Sequence, residues 1–414
     1  MMLEVSPFNA IRFNTRKLGR DLSSFIAPPY DVLDAADKRV LLRKSSHNIA
    51  AIDLPHLPPK SAGPPEAYAG AARGLQQWLS DGVLIRESSP AMYVYHQQFS
   101  HAGKTYTRKK LFVRVRLHPF SDGIILPHEQ TFGGPKEDRL ALMKATRCQL
   151  SPIFGLFSDP KGEVDDGLHG IAEHAPDVEA TLDGVNNRLW IVNNEAAHRR
   201  VATALRDRKI YIADGHHRYG TALLYRDALQ DERGAPVPKD HPAQFVMFVL
   251  ASMDDPGCLI LPYYRALESI AIDELLRSWR EGVSPCGSTE ADLELSDGRD
   301  GSARAVRFTN RDVLKSLEPD QVAPWHKLDY AYLHRYLIDE LLTRRDGRTV
   351  KIHYAKSVDD AIRDARQSNG VALLVKATPM AHLRAVSEAG GLMPQKSTYF
   401  HPKLATGMVM NPLE

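Results

Sequence analysis

Little in this 414-residue chain points toward membranes, oxidising compartments or polyanions. No stretch approaches 18 consecutive uncharged apolar residues, so no transmembrane helix is expected. The three cysteines (Cys148, Cys258 and Cys286) are odd in number and form no CxxC pair, which argues against a disulfide framework and a zinc ribbon. Lys plus Arg total 53 against 51 Asp plus Glu, a net charge of +2 that lacks the basic excess of a general nucleic-acid binder. Met1 to Asn14 shows no basic stretch followed by an apolar run, so no secretory signal is expected and the cytoplasm is the default location. Internal repeats and low-complexity segments are also missing. Two familiar motifs fail by inspection. HExxH would need histidine where Phe132 stands, and Gly133-Gly134-Pro135-Lys136 lacks the glycine spacing and hydroxyl of a phosphate-binding P-loop.

What is present is an ordinary globular composition, 43% hydrophobic and 25% charged, in a chain long enough for two or three compact units. Helical spacing is expected over Ala35–Lys44 and over Glu66–Asp81, the second stopped by Gly82. Ile49–Leu54 reads as a strand. Met92–Phe99 and Thr105–Leu117 alternate around His101-Ala102-Gly103-Lys104, which predicts a hairpin. Further strands are expected at Ser151–Ser158, Asn187–Asn193, Lys209–Ala213 and the apolar run Gln244–Ala251, with helices from about Glu137, over Ala197–Arg208 and over Tyr219–Leu229. Beyond Pro262 helices and strands continue to alternate, and polar Gly282–Gly301 reads as a surface excursion. The fold class expected is α/β, mixed with α+β character. Three parts are expected: an N-terminal α/β segment (1–90), a core carrying the hairpin (91–260) and a C-terminal α/β domain with a closing arm (261–414).

Chemistry concentrates in Asp214-Gly215-His216-His217-Arg218, between an expected strand and an expected helix. Asp214 suits a helix N-cap, and Gly215 allows a sharp reversal or close approach to a ligand. The first turn of a helix offers amides without internal acceptors at its positive end, a natural oxyanion cradle. Arg218 adds a fork of donors, and His216 and His217 can donate hydrogen bonds or move protons. The plainer reading is a capped helix with packed histidines. A second cluster, His128-Glu129-Gln130-Thr131 followed by Lys136, Asp138 and Arg139, offers Glu129 as a general base or Mg²⁺ ligand. A third, Met393 to Gly407, places Lys396 and Lys403 among hydroxyls and prolines, as an arm able to close on an anion. The spacing of Asp214, His216 and His217 matches no standard zinc set.

Together the boxes Pro28-Pro29-Tyr30-Asp31-Val32, His128-Glu129-Gln130-Thr131, Asp138-Arg139-Leu140, Ser151-Pro152-Ile153-Phe154, Ala213 to Tyr219, Met393 to Thr398 and His401-Pro402-Lys403 resemble the bacterial and archaeal family known as domain of unknown function 1015. They follow the family's order across nearly the whole chain. The chain departs at Gly220, where the family more often has an acidic residue, and at Leu261-Pro262-Tyr263-Tyr264-Arg265, where a histidine commonly precedes the arginine. The Asp-Gly-His-His-Arg box is also similar to the phosphate-binding box of the ParB/sulfiredoxin-like fold, which includes free-serine kinases, sulfiredoxin and CTP-binding ParB proteins. This second resemblance implies a ParB/sulfiredoxin-like nucleotide-binding core with an additional α/β domain. It also implies phosphate contacts from Asp214, Gly215, His216, His217 and Arg218.

The resulting expectation is a nucleotide-dependent phosphotransferase acting on a small hydroxyl metabolite, for which the resemblance suggests free serine. Asp31, Glu129 and His217 are the catalytic candidates, and Lys396 and Lys403 would add phosphate contacts. ATP or ADP with Mg²⁺ would be the nucleotide, and the partners are small molecules rather than nucleic acid or membrane. A nucleotide-binding regulator without catalysis and a phosphatase acting on a small phosphorylated metabolite are the alternatives.

Overall fold

The computed structural model describes residues 2–130, 133–168 and 170–414. The chain divides into two compact units. The first comprises Met1–Pro127, Thr131–Cys258 and Pro402–Glu414, and the second His128–Gln130 and Leu259–His401. The architecture is the mixed α/β type that the alternation of patterns leads one to expect. Among the described residues, no helix is long and apolar enough to cross a membrane.

The first unit is built on a nine-stranded sheet. Its strands are β1 (Val5–Ser6), β2 (Met92–His101), β3 (Lys104–Arg116), β4 (Ile125–Leu126), β5 (Ile153–Phe157), β6 (Val178–Leu182), β7 (Val185–Val192), β8 (Ile210–Asp214) and β9 (Phe245–Ser252). They lie in the order β4-β8-β5-β9-β3-β2-β7-β6, with β1 paired to β3. The β2–β3 hairpin turns on Ala102 and Gly103, both at positive φ (49° and 74°), as a two-residue hairpin turn requires. β9 runs parallel to β5 and antiparallel to β3 and is buried along nearly its whole length, which explains its unbroken apolar sequence. Helices α1 (Pro65–Ser80), α2 (Gly133–Thr146), α3 (Glu195–Leu205) and α4 (His216–Arg233) belong to this unit. Val113, Val201, Ile212, Tyr219 and Phe248 stand in its core, each essentially inaccessible.

The second unit holds a six-stranded antiparallel sheet of β10 (Tyr264–Leu267), β11 (Val283–Pro285), β12 (Leu293–Asp297), β13 (Ala303–Phe308), β14 (Ile352–Ala355) and β15 (Val371–Val375), ordered β11-β13-β12-β15-β10-β14. Helix α5 (Val358–Gln367) closes on the sheet through small side chains, Ala361 and Ala365 against Ala266 and Ala372. A helix follows Trp325, and from Tyr332 to Arg345 its backbone takes the wider five-residue repeat.

Two expectations fail. Ile49–Leu54 is no strand: Ala50–Asp53 forms a single helical turn. Asn48 decides this from outside the apolar pattern, because its amide donates to the carbonyls of Ser24 and Ile26 while its Oδ1 accepts from Ala50 N at 3.0 Å. Gly282–Gly301 is no excursion either, since it supplies β11 and β12. Leu293 and Leu295 are buried there, with β12 lying between β13 and β15.

Candidate functional site

In the first unit the Asp214 box forms a reversal between β8 and α4. A bulge in the β8–β5 ladder sets Asp214 opposite Phe154 instead of continuing the register of Tyr211 and Ile212, so the chain leaves the sheet re-aimed. Gly215 then takes φ +96°, which only glycine adopts cheaply, and the 18-residue α4 begins at His216. Asp214 is therefore not the N-cap that the sequence suggests, for Gly215 holds that place and Asp214 ends the strand.

The freed carboxylate is used otherwise. Buried Arg218 folds back one turn, its Nη2 lying 3.2 Å from Asp214 Oδ2 while Nη1 donates to the carbonyl of Pro152. Lys403 Nζ reaches the other oxygen at 3.4 Å. Burial pushes the Asp214 pKa up, but Lys403, Arg218 and His216 outweigh it and hold the carboxyl well below its usual range. His216 is buried and His217 half-buried, its carbonyl accepting from Thr221 Oγ1 at 2.8 Å. The helix start is pinned by fully buried Tyr219, whose hydroxyl donates to His118 O at 2.8 Å and accepts from His118 N at 3.0 Å. At Gly220 a β-carbon would stand 3.0 Å from Lys136 Cε, so any larger side chain there would press on the lysine stem.

Lys403 belongs to a segment strapped onto one face of the sheet. Gln97 Nε2 donates to the Lys403 carbonyl at 3.1 Å, Arg108 Nη2 donates to that of Pro402, and Thr406 exchanges backbone hydrogen bonds with Ala27. Gln97 Oε1 also accepts from Arg108 at 2.7 Å and from Lys110. Arg108 stacks on Phe154 at 4.7 Å, and the Lys110 ammonium lies 4.2 Å above the Tyr95 ring. Burial, and after it the neighbouring Arg108 charge, holds the Lys110 pKa well below that of a free lysine. Among the described residues no carboxylate lies within ion-pair distance of Lys110. Gln97, Arg108 and Lys110 were not among the residues the sequence singles out. Their signal was alternation: each shares a sheet face with a buried Tyr95 or Phe112, so polar residues sit at core-facing positions.

A third group completes the unit's charged interior. Buried Arg139 pairs with Asp138 and Asp53, donates to Asp53 O at 2.6 Å, and lies 4.0 Å over the Tyr30 ring. Tyr68 OH donates to Asp138 and Ser151 Oγ to Asp53, both at 2.7 Å. Burial raises the Asp53 pKa despite Arg139 and the Ser151 hydrogen bond. The boxes around Tyr30, Asp138 and Ser151 are thus brought together. Asp31, next to Tyr30, is exposed and makes no side-chain hydrogen bond or ion pair among the described residues.

Glu129 and Lys396 lie in the second unit. There His128 Nε2 meets Thr398 Oγ1 at 2.9 Å, and His128 O accepts from Met393 N at 2.7 Å, so the start of the second sequence cluster and the Met393–Thr398 part of the third come together. Glu129 is half-buried and Lys396 exposed. Thr131 and Phe132 lie outside the described residues.

No curated protein matches the chain. Among solved structures it is similar to a mutant free serine kinase in complex with ADP, at 14% identity, 72% of this chain, 92% of the other and a TM-score of 0.35. It is also similar to SbnI with C-terminal truncation from Staphylococcus aureus (12%, 71% and 85%, 0.37). A conserved hypothetical protein from Pyrococcus furiosus stands at the same level (13%, 72% and 95%, 0.33). The family model described as "Protein of unknown function (DUF1015)" matches residues 5–330, with the Tyr30, Asp138–Arg139, Ser151–Pro152 and Asp214–Arg218 boxes all inside that span. The chain belongs to this family.

Proposed function

We propose that the first unit binds the phosphates of a nucleotide at the Gly215 reversal and transfers a phosphoryl group to the hydroxyl of a small metabolite, with free serine the first candidate. One observation carries the reading: two cations, Arg218 and Lys403, converge on the single carboxylate of Asp214 at the positive end of an 18-residue helix. That corner keeps an excess positive charge, which an oxyanion neutralises. Arg108 extends the positive charge along the same sheet face, joined to Lys403 through Gln97.

Phosphoryl transfer asks little covalent chemistry of a protein; it needs charge neutralisation, alignment and an acceptor for the hydroxyl proton. Arg218 and Lys403 supply the first, and Asp214 holds both in place. The substrate hydroxyl oxygen forms the new P–O bond as the bond to the leaving phosphate breaks, and its proton passes to a carboxylate. Asp31, exposed and without a side-chain partner among the described residues, suits that role. His216 and His217 would donate to phosphate oxygens, with His217 able to protonate the leaving group. Mg²⁺ would arrive on the nucleotide phosphates.

Purified protein with ATP or ADP, Mg²⁺ and a panel of amino acids tests this. Nucleotide-dependent phosphorylation is expected, lost in Arg218→Ala and in Asp31→Asn. Full activity in Arg218→Ala would remove the corner from consideration. Tight nucleotide binding without turnover would mark a regulator, and phosphate release from phosphoserine without nucleotide would mark a phosphatase.

A further inference from the structure

The second unit carries an arrangement that the phosphoryl-transfer reading does not use. Arg265 is fully buried, its guanidinium 4.4 Å from the Tyr330 ring and 5.2 Å from that of Tyr354. Its Nε donates to His334 Nε2 at 3.0 Å, Nη1 donates to the carbonyl of Tyr263, and Nη2 to that of Lys396 at 2.9 Å. One rigid side chain therefore fixes two backbone positions at once, and the side chains of those two residues meet: Lys396 Nζ lies 5.2 Å over the Tyr263 ring. Tyr263 packs on Tyr399 at 5.3 Å, and Lys356 Nζ lies 5.5 Å over Tyr399. Two exposed lysines thus flank a pair of tyrosines.

Lys396 also sits at φ +56°, a left-handed conformation that a lysine rarely adopts. The loop is held there from three sides, by Arg265, by Thr378 Oγ1 on Ser397 O (2.9 Å) and by His128 on Thr398. No carboxylate lies within ion-pair distance of Lys396 among the described residues. A lysine stem laid on an aromatic face loses less freedom when its ammonium meets an anion, because it is already ordered. We infer that Lys396 and Lys356 form a second oxyanion site, which takes a multiply charged phosphorylated small molecule. The site is composed of second-unit residues alone and stands independently of the Asp214 corner.

Binding of inorganic pyrophosphate and of ADP to the full chain, by titration calorimetry, tests it in an Arg218→Ala background that silences the first unit's corner. Binding is expected to persist there and to weaken roughly tenfold or more with Lys396→Gly added, the loss of one good charge-assisted contact. Lys396→Arg should stay within a few-fold, and Lys356→Met should weaken binding several-fold. Glycine relieves the left-handed position, so amide-exchange protection in the second unit should be no lower in Lys396→Gly than in its parent. Unchanged affinity in Lys396→Gly, or no binding at all in Arg218→Ala, would overturn the inference. The second outcome leaves the corner reading intact. Loss in Lys396→Gly together with indifference to Arg218→Ala would instead support this site and sink the corner.

Discussion

Gly215→Ala would separate backbone strain from the organisation of the proposed anion site. At φ +96° an alanine lies well beyond the ordinary left-handed well, at a cost of about 1–2 kcal/mol or more. Its β-carbon would also stand 2.9 Å from Arg218 Nε and 3.0 Å from Cζ. The guanidinium must therefore swing away, forfeiting its hydrogen bond to Asp214, and a bond to a charged group contributes about 1.5–3 kcal/mol. The two effects together come to about 3 kcal/mol. Gly234 is the control: it ends the same helix at φ +62°, and a β-carbon there would meet nothing within 4 Å, so Gly234→Ala should cost only about 1 kcal/mol. Because two units need not unfold together, amide hydrogen exchange along His216–Arg233 is the appropriate measure rather than a single melting point. Phosphate binding should fall in Gly215→Ala and survive in Gly234→Ala. Equal protection losses in the two variants, with phosphate binding kept in both, would refute the idea that Gly215 is there for Arg218.

Two other expectations concern buried charge. Lys110→Met should leave stability unchanged or raise it by about 1 kcal/mol in urea unfolding while weakening anion binding, since a buried ammonium without a carboxylate is a net cost to the fold; a loss above about 3 kcal/mol would show that its bond to Gln97 is structural. His96 is held neutral in the folded chain, its pKa down to about 4 from 6.5, by burial first and then by Lys109 and Lys110. Between those values the unfolded chain takes up a proton that the folded one refuses, so stability falls as pH drops from 6.5 toward 4. Discounted for partial exposure, the loss is about 2 kcal/mol, and melting curves against pH should flatten in His96→Phe. An unchanged slope would contradict the assignment.

Strands with one dominant environment were legible in the sequence: β9 as an unbroken apolar run, the β2–β3 hairpin through alternation and its Ala102-Gly103 turn. The reversal at Gly215 was legible too, because glycine between an apolar strand and a helical pattern has few other uses. What failed was decided by distant partners. Asn48 bends Ala50–Asp53 into a turn by reaching the carbonyls of Ser24 and Ile26, and no local pattern records that reach. The short β12 shows only two buried leucines between polar neighbours, so its membership in a sheet depends on strands far along the chain.

The same limit hid the most informative part of the candidate site. Gln97, Arg108 and Lys110 look like the solvated side of a hairpin until pairing places Arg108 opposite Gln97 and Lys110 opposite Tyr95 on a buried face. A fold selected for stability alone would put aliphatics there, since burying an ammonium beside a guanidinium is opposed by desolvation and by like-charge repulsion together. Arg108 and Lys110 share the Gln97 carbonyl oxygen, and Gln97 in turn holds the backbone of Lys403, whose ammonium reaches Asp214. The cost therefore falls on the side chains that connect to the proposed anion corner. An unfavourable charge arrangement aimed at a reversal of matching function is what binding an oxyanion from this face would require, and packing alone supplies no reason for it.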